Sequence, residues 1–244
     1  TGASPGTGAV YADRLKNRGY DLILVARNEE RLKTVARRIE GETGRKVQIL
    51  PADLNDKSSL AKVEALLRND TSITLLVNNA GVGSVASILQ ADADTITDAV
   101  APTFAARGSG TIVNIASVVG IAAEMLNGVY SASKSYVISF GHSLQKDLAD
   151  KGVRVQTVLP GATATEFWDV AGYAAQKIAS ITMSAEDCVD AALAGLDGGE
   201  LVTIPGLHDG DAWTKWEADR RELSKKFGNA KPAARYGVNS SAAA

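Results

Sequence analysis

A chain of 244 residues that is 45% hydrophobic, 22% charged and 5% aromatic has the make-up of an ordinary globular protein, with length enough to bury a core. Its 26 Lys and Arg against 28 Asp and Glu leave a net charge of −2, so no basic surplus points to nucleic acid or an anionic membrane surface. A single cysteine, Cys188, excludes an internal disulfide scaffold and favours a reducing, cytoplasmic compartment, and no apolar run reaches the roughly 18 residues of a membrane span.

The chain opens on a glycine-rich stretch, Thr1-Gly2-Ala3-Ser4-Pro5-Gly6-Thr7-Gly8, followed by a segment of helical period at 9–18. Glycines so placed allow a tight turn and close backbone approach to a phosphate, and the following helix offers unpaired N–H groups. No Gly-Lys-Ser/Thr follows, which excludes a nucleoside-triphosphate P-loop, and the spacing T-G-x-x-x-G-x-G is not the common G-x-G-x-x-G fingerprint. Short Val- and Ile-rich runs then alternate with helical segments. Strands are expected at 22–26 (LILVA), 47–50 (VQIL), 73–77 (ITLLV), 111–116 (TIVNIA), 153–159 (VRVQTVL) and 201–204 (LVTI). Helices are expected at 29–40, 58–67, 130–150 and 185–196. In the first of these Leu32, Val35, Ala36 and Ile39 share one face.

Strand and helix in strict alternation with short links predict an α/β fold: a doubly wound parallel sheet with helices on both faces, in one domain over residues 1–227. Beyond about residue 205, Trp213, Trp216, Leu223 and Phe227 form an apolar stripe on a charged helix, and residues 228–244 read as a loosely ordered tail.

Further motifs sit at the expected strand ends, where open α/β sheets bind ligands. Asn78-Asn79-Ala80-Gly81 closes the third strand and Ser117 the fourth. Tyr130-Ser131-Ala132-Ser133-Lys134 gives Y-x-x-x-K thirteen residues after that serine, and Pro160-Gly161 closes the fifth strand. Each is weak alone; five in this order resemble the short-chain dehydrogenase/reductase family, whose fold is Rossmann-like. Tyr130 and Lys134, four apart on a helix, share a face, and an ammonium beside a phenol favours the phenolate, lowering a pKa near 10. The resemblance implies Tyr130 as general acid/base, Ser117 as the donor to the substrate oxygen, and Lys134 as a holder of the nicotinamide ribose.

The same resemblance implies a dinucleotide cradle of Gly2, Ser4, Gly6, Thr7, Gly8, Asn79, Ala80 and Gly81. Asp53 and Leu54 would lie at the adenine, and Pro160, Gly161, Thr163 and Thr165 beside the nicotinamide and phosphates. At the end of the second strand Ala26 stands where an acid would accept from a ribose 2′-OH, and Arg27 follows, a partner for a 2′-phosphate. NADP is therefore expected over NAD. The competing reading of Arg27 is an ion pair with Glu29 or Glu30. The expected reaction is hydride transfer between NADPH and a carbonyl or secondary alcohol. The partners implied are that small molecule and a second or fourth copy of the chain, in a homodimer or homotetramer, with no nucleic acid or membrane. Two scattered histidines and one cysteine suggest no metal site.

Two departures from the family pattern stand out. No Asn occurs in 91–110, where the family carries a fourth catalytic residue, and Asn114 lies inside the next strand and is no substitute. The same stretch reads as about five helical turns short, with Pro102 expected to break the helix that remains. The family also runs a strand into the glycine motif. We therefore expect further residues before Thr1 and between Asp98 and Ala99, which an intact mass different from 25.4 kDa would reveal. The absent Asn keeps a second reading open: a nucleotide-binding scaffold of the same fold without catalysis.

Overall fold

The computed structural model describes residues 1–4, 6–81, 92–126, 128–166, 168 and 178–238. By its internal contacts the chain divides into a unit Thr1–Gly206 and a unit Leu207–Ala244. The first holds six strands and six long helices among the described residues: α1 Gly6–Asn17, β1 Leu22–Ala26, α2 Glu29–Thr43, β2 Val47–Pro51, α3 Lys57–Asn69, β3 Leu75–Asn78, α4 Asp92–Arg107, β4 Gly110–Ile115, α5 Gly128–Leu148, β5 Val153–Val158, α6 Ala185–Asp197 and β6 Val202–Thr203. The second unit holds α7, Gly210–Ser224. There the Trp213 and Trp216 rings stack at 4.8 Å, and Trp216, Leu223 and Phe227 are exposed.

Local chemistry sets the helix ends. Asn28, Asp56 and Ser184 cap α2, α3 and α6 by accepting from the backbone N–H three residues on, and Gly44, left-handed at φ +66°, ends α2. Every strand pairing is parallel. β1 pairs with β2, and β3, β4, β5 and β6 follow in order. Alternate strand residues serve opposite faces, as the pleat requires. Leu24, Val113 and Val158 pack with Tyr11, Leu15, Leu32, Ile39 and Val189 on one side. Val25, Ile112 and Val155 pack with Val63, Ile96, Phe104 and Leu144 on the other.

The strand ladders form two sets, β1-β2 and β3-β4-β5-β6, all parallel and flanked by helices as expected. Thr1–Ala3 lie between β1 and β3, with Thr1 N donating to Val77 O at 2.7 Å and Ala3 N–H to Val25 O at 3.3 Å. α4 corrects an expectation. Pro102 lies inside the helix, which continues to Arg107. The Pro102 ring removes one N–H, but the turn after it is held by Phe104, fully buried beside Ile96 and Val100 and under Gly110, where a Cβ would come 2.3 Å from the Phe104 ring.

Candidate active site

The glycine-rich stretch folds as a tight loop whose residue types its geometry demands. Gly2 and Gly6 have φ of +64° and +57°, a region that L side chains rarely enter. Gly8 is needed for space, since a Cβ there would lie 2.1 Å from Gly2 O. Asn79 ties this loop to the end of β3. Its Nδ2 donates to Thr1 O at 3.2 Å and Gly2 O at 3.3 Å, and its Oδ1 accepts from Thr7 Oγ1 at 2.6 Å. The Asn79 and Ala80 N–H groups both donate to Thr1 Oγ1. α1 starts inside this loop with no acidic residue in its first turn, so its N-terminal dipole is left for an anion.

Around the loop lie the other expected cofactor residues. Thr165 touches it, its Cγ2 standing 3.1 Å from where a Gly6 Cβ would be. Thr163 is buried, with Oγ1 donating to Gly161 O at 3.2 Å. Asp53 turns the chain after β2 by accepting from the Asn55 N–H, and Leu54 packs against the Val25 side of the core. Arg27 is exposed, with no hydrogen bond or ion pair among the described residues. The competing ion-pair reading finds no support, because Glu29 and Glu30 both pair with Lys33, at 3.0 and 2.8 Å. Ser4, Gly6, Glu30, Arg31, Thr34, Val35 and Glu166 line a cleft of about 430 Å³. Glycines whose positions leave no room for a Cβ, a helix N-terminus with no acid in its first turn, an Arg27 with no partner among the described residues and this cleft suit a phosphate-bearing dinucleotide.

The chain past β4 meets α5 closely. Ser117 caps a 3-10 turn, Val118–Gly120; its Oγ accepts from Val119 N–H at 3.4 Å and donates to Pro160 O at 3.2 Å. Ser135 of α5 donates to Gly120 O at 2.6 Å, and a Cβ on Gly120 would come 2.6 Å from Ile138 Cδ1. This docking carries Tyr130 to Ser117, with the phenol and the hydroxyl in hydrogen-bonding contact. It also carries Lys134 under Ile115, whose carbonyl accepts from Nζ at 3.1 Å. Gly81, at the end of the Asn78–Gly81 run, faces the same Nζ.

The electrostatics reverse one expectation. Burial pushes the Tyr130 phenol up to about 12, and the Ser117 hydroxyl, pulling the other way, does not offset it. Lys134 is brought down to about 8 by burial. Its ammonium, anchored on Ile115 O, lies 5.7 Å from the centre of the Tyr130 ring, over the face of the ring, and does not lower the phenol. Tyr130 is thus a protonated donor near neutral pH, suited to delivering a proton to a developing alkoxide.

Several residues of the site's frame carry no motif. Asn78 Nδ2 donates to Thr97 Oγ1 at 3.0 Å and Asn114 Oδ1 at 2.9 Å, a buried bridge joining β3, β4 and α4. Asn114 is fully buried in it, in keeping with its place inside a strand. Gly120, Ser135 and Gly141 are small residues at which α5 closely approaches the turn after β4 and the strand β5. Of the aromatic residues that follow Pro160-Gly161, Phe167 and Tyr173 lie outside the described residues, while Trp168 donates from Nε1 to Thr163 O at 2.8 Å. Among the described residues no group of three or more His, Cys, Asp or Glu could hold a metal, and no helix is long and apolar enough to cross a membrane.

Residues 1–175 match the family model for short chain dehydrogenases. The chain belongs to the short-chain dehydrogenase family. It is an NAD(P)-dependent oxidoreductase with the Rossmann-like α/β fold of that family. Among curated proteins this short-chain dehydrogenase is 32% identical over 219 residues to an uncharacterized oxidoreductase of Staphylococcus saprophyticus, covering 84% of this chain and 92% of the relative. Among solved structures it resembles a short-chain dehydrogenase from Sphingobium yanoikuyae in complex with NADPH, at 40% identity and TM-score 0.92 over 96% of this chain and 97% of the other. It also resembles the bulky-bulky ketone specific alcohol dehydrogenase of Comamonas testosteroni, at 38% identity and TM-score 0.86 over 96% of each chain.

Proposed function

We propose that this short-chain dehydrogenase is an NADPH-dependent carbonyl reductase, working in reverse as a secondary-alcohol dehydrogenase. The observation that carries the reading is the meeting of Tyr130, Ser117 and Lys134 at the C-terminal end of β4, beside a glycine loop without room for side chains. Bound there, the nicotinamide cofactor supplies the hydride. Ser117 holds the substrate oxygen by a hydrogen bond that strengthens as negative charge develops. Tyr130, protonated because burial raises its phenol, gives its proton to that oxygen. Lys134 lies one turn on, its ammonium fixed by Ile115 O, and holds the nicotinamide ribose. Gly2, Ser4, Gly6, Thr7 and Gly8 cradle the diphosphate, with Asn79 keeping the loop's shape.

The preference for NADP rests on Arg27, without a partner among the described residues and beside Ala26 where an acid would repel a 2′-phosphate, and is supported by the NADPH bound to the Sphingobium relative. A ketone substrate is supported by the name of the Comamonas enzyme. We further place the protein in the cytoplasm as a homodimer or homotetramer, in line with its lone buried cysteine and its family.

Cofactor oxidation over a panel of aldehydes, ketones and hydroxysteroids, run with NADPH and with NADH, tests this. Turnover with NADPH, reduced about tenfold or more by Arg27→Ala, is the expected outcome. The absence of an Asn from α4 favours the scaffold as a second reading. NADPH binding without turnover of any carbonyl would select it, and NADH bound as tightly as NADPH would overturn the cofactor preference.

A further inference from the structure

We propose that Arg31 and Glu166 set the discrimination between the phosphorylated and unphosphorylated dinucleotide: Arg31 is a second ligand of the 2′-phosphate, and Glu166 is the carboxylate from which the phosphate must take it. This rests on the reading that the glycine loop holds NADP(H). Arg31 lies in the first turn of α2, four residues after Arg27. Its Nη1 donates to both oxygens of Glu166, at 2.8 and 3.2 Å, across 135 residues of sequence. Glu166 directly follows Thr165, the residue in contact with Gly6, so the ion pair runs from α2 to the segment after β5 beside the cofactor loop. Both side chains line the cleft of about 430 Å³ that Ser4 and Gly6 also line.

The choice of partner is informative. Glu30, adjacent in sequence, is held by Lys33, which leaves the Arg31 guanidinium to reach away from its own helix toward the cleft. With the two side chains 50% and 57% exposed, the pair is weak and yields to a stronger acceptor. A phosphate dianion is one, because it offers the guanidinium fork two parallel bonds and a second charge. The diphosphate, which both dinucleotides share, is taken by the glycine loop and the N-terminus of α1, so a dinucleotide with a free 2′-OH leaves the Arg31–Glu166 pair intact. Glu166 thereby taxes the binding of NADPH while leaving NADH untouched.

Titrating the full-length protein with NADPH and with NADH, read by nicotinamide fluorescence in the absence of any carbonyl, tests the assignment. Glu166→Gln is expected to tighten NADPH about two- to fivefold and to leave NADH unchanged. Arg31→Ala is expected to weaken NADPH about tenfold, again without effect on NADH. In the double variant the gain from Glu166→Gln should vanish, because the carboxylate acts only through Arg31. A gain that persists without Arg31, or that NADH shares, would overturn the proposal, as would an Arg31→Ala variant binding NADPH like the parent. If the parent binds neither nucleotide, the proposed function falls as well. If it binds NADPH and the variants are silent, only the roles of Arg31 and Glu166 fall.

Discussion

The ammonium of Lys134 is buried against Ile115 O and titrates at about 8, while the Tyr130 phenol is held up to about 12. The Lys134 ammonium is present below its pKa and lost above it, and Tyr130 keeps its proton across that range. Carbonyl reduction should therefore be flat from pH 6 to 7 and decline by about tenfold per unit above about 8. A pH–rate profile of kcat/KM for reduction checks this, and a profile rising through pH 9 would contradict it. A second residue-scale prediction concerns Gly8. An added methyl would meet Gly2 O at 2.1 Å and Asn79 Nδ2 at 2.6 Å, so Gly8→Ala must distort the loop at backbone that cannot give way. Nucleotide affinity measured by fluorescence should fall by at least tenfold, with unfolding little affected because the loop lies at the mouth of the sheet. The contrast between Tyr130 and Lys134 shows what sequence alone could carry. Spacing of four put both on one face, but the sign of the phenol's shift depends on burial and on where Ile115 anchors the ammonium, neither of which is written in Y-x-x-x-K.

Elements were legible to the extent that their periodicity was strong. α2 keeps its apolar face at Leu32, Ala36 and Ile39, and β1 spans the same LILVA run that its composition suggested. α4 was the harder case, since its Pro102 argued for a break that the packing of Phe104 overrides. Contact between elements was invisible in any single segment. Gly141 on α5 faces β5, where a Cβ would sit 2.0 Å from Thr157 Oγ1, whereas Gly41 on α2 has open space around it. Gly141→Ala should destabilise the protein by about 1–3 kcal/mol through overpacking. Gly41→Ala should stabilise it by about 0.5–1 kcal/mol through helix propensity. Urea unfolding of the two variants checks the pair, and equal effects would refute the docking of α5 on β5.

At the scale of the whole molecule, the site exists because separate stretches of chain meet at one end of the strands. Asn79 joins the glycine loop to β3, Pro160 joins β5 to Ser117, and α5 brings Tyr130 and Lys134 to both. The order of motifs announced this arrangement, since each falls at a strand end or on the next helix. The Arg31–Glu166 pair was not announced, because it depends on residues far apart in sequence with no motif of their own. The central claim is that this constellation transfers a proton during carbonyl reduction. Its most direct test compares the protein with Tyr130→Phe, which removes one hydroxyl and keeps the ring, for NADPH affinity and for NADPH oxidation on a ketone that the parent reduces. The account predicts affinity within about twofold and turnover lower by about 10²- to 10⁴-fold. A Tyr130→Phe variant that binds NADPH and reduces the ketone at the parent's rate would contradict it.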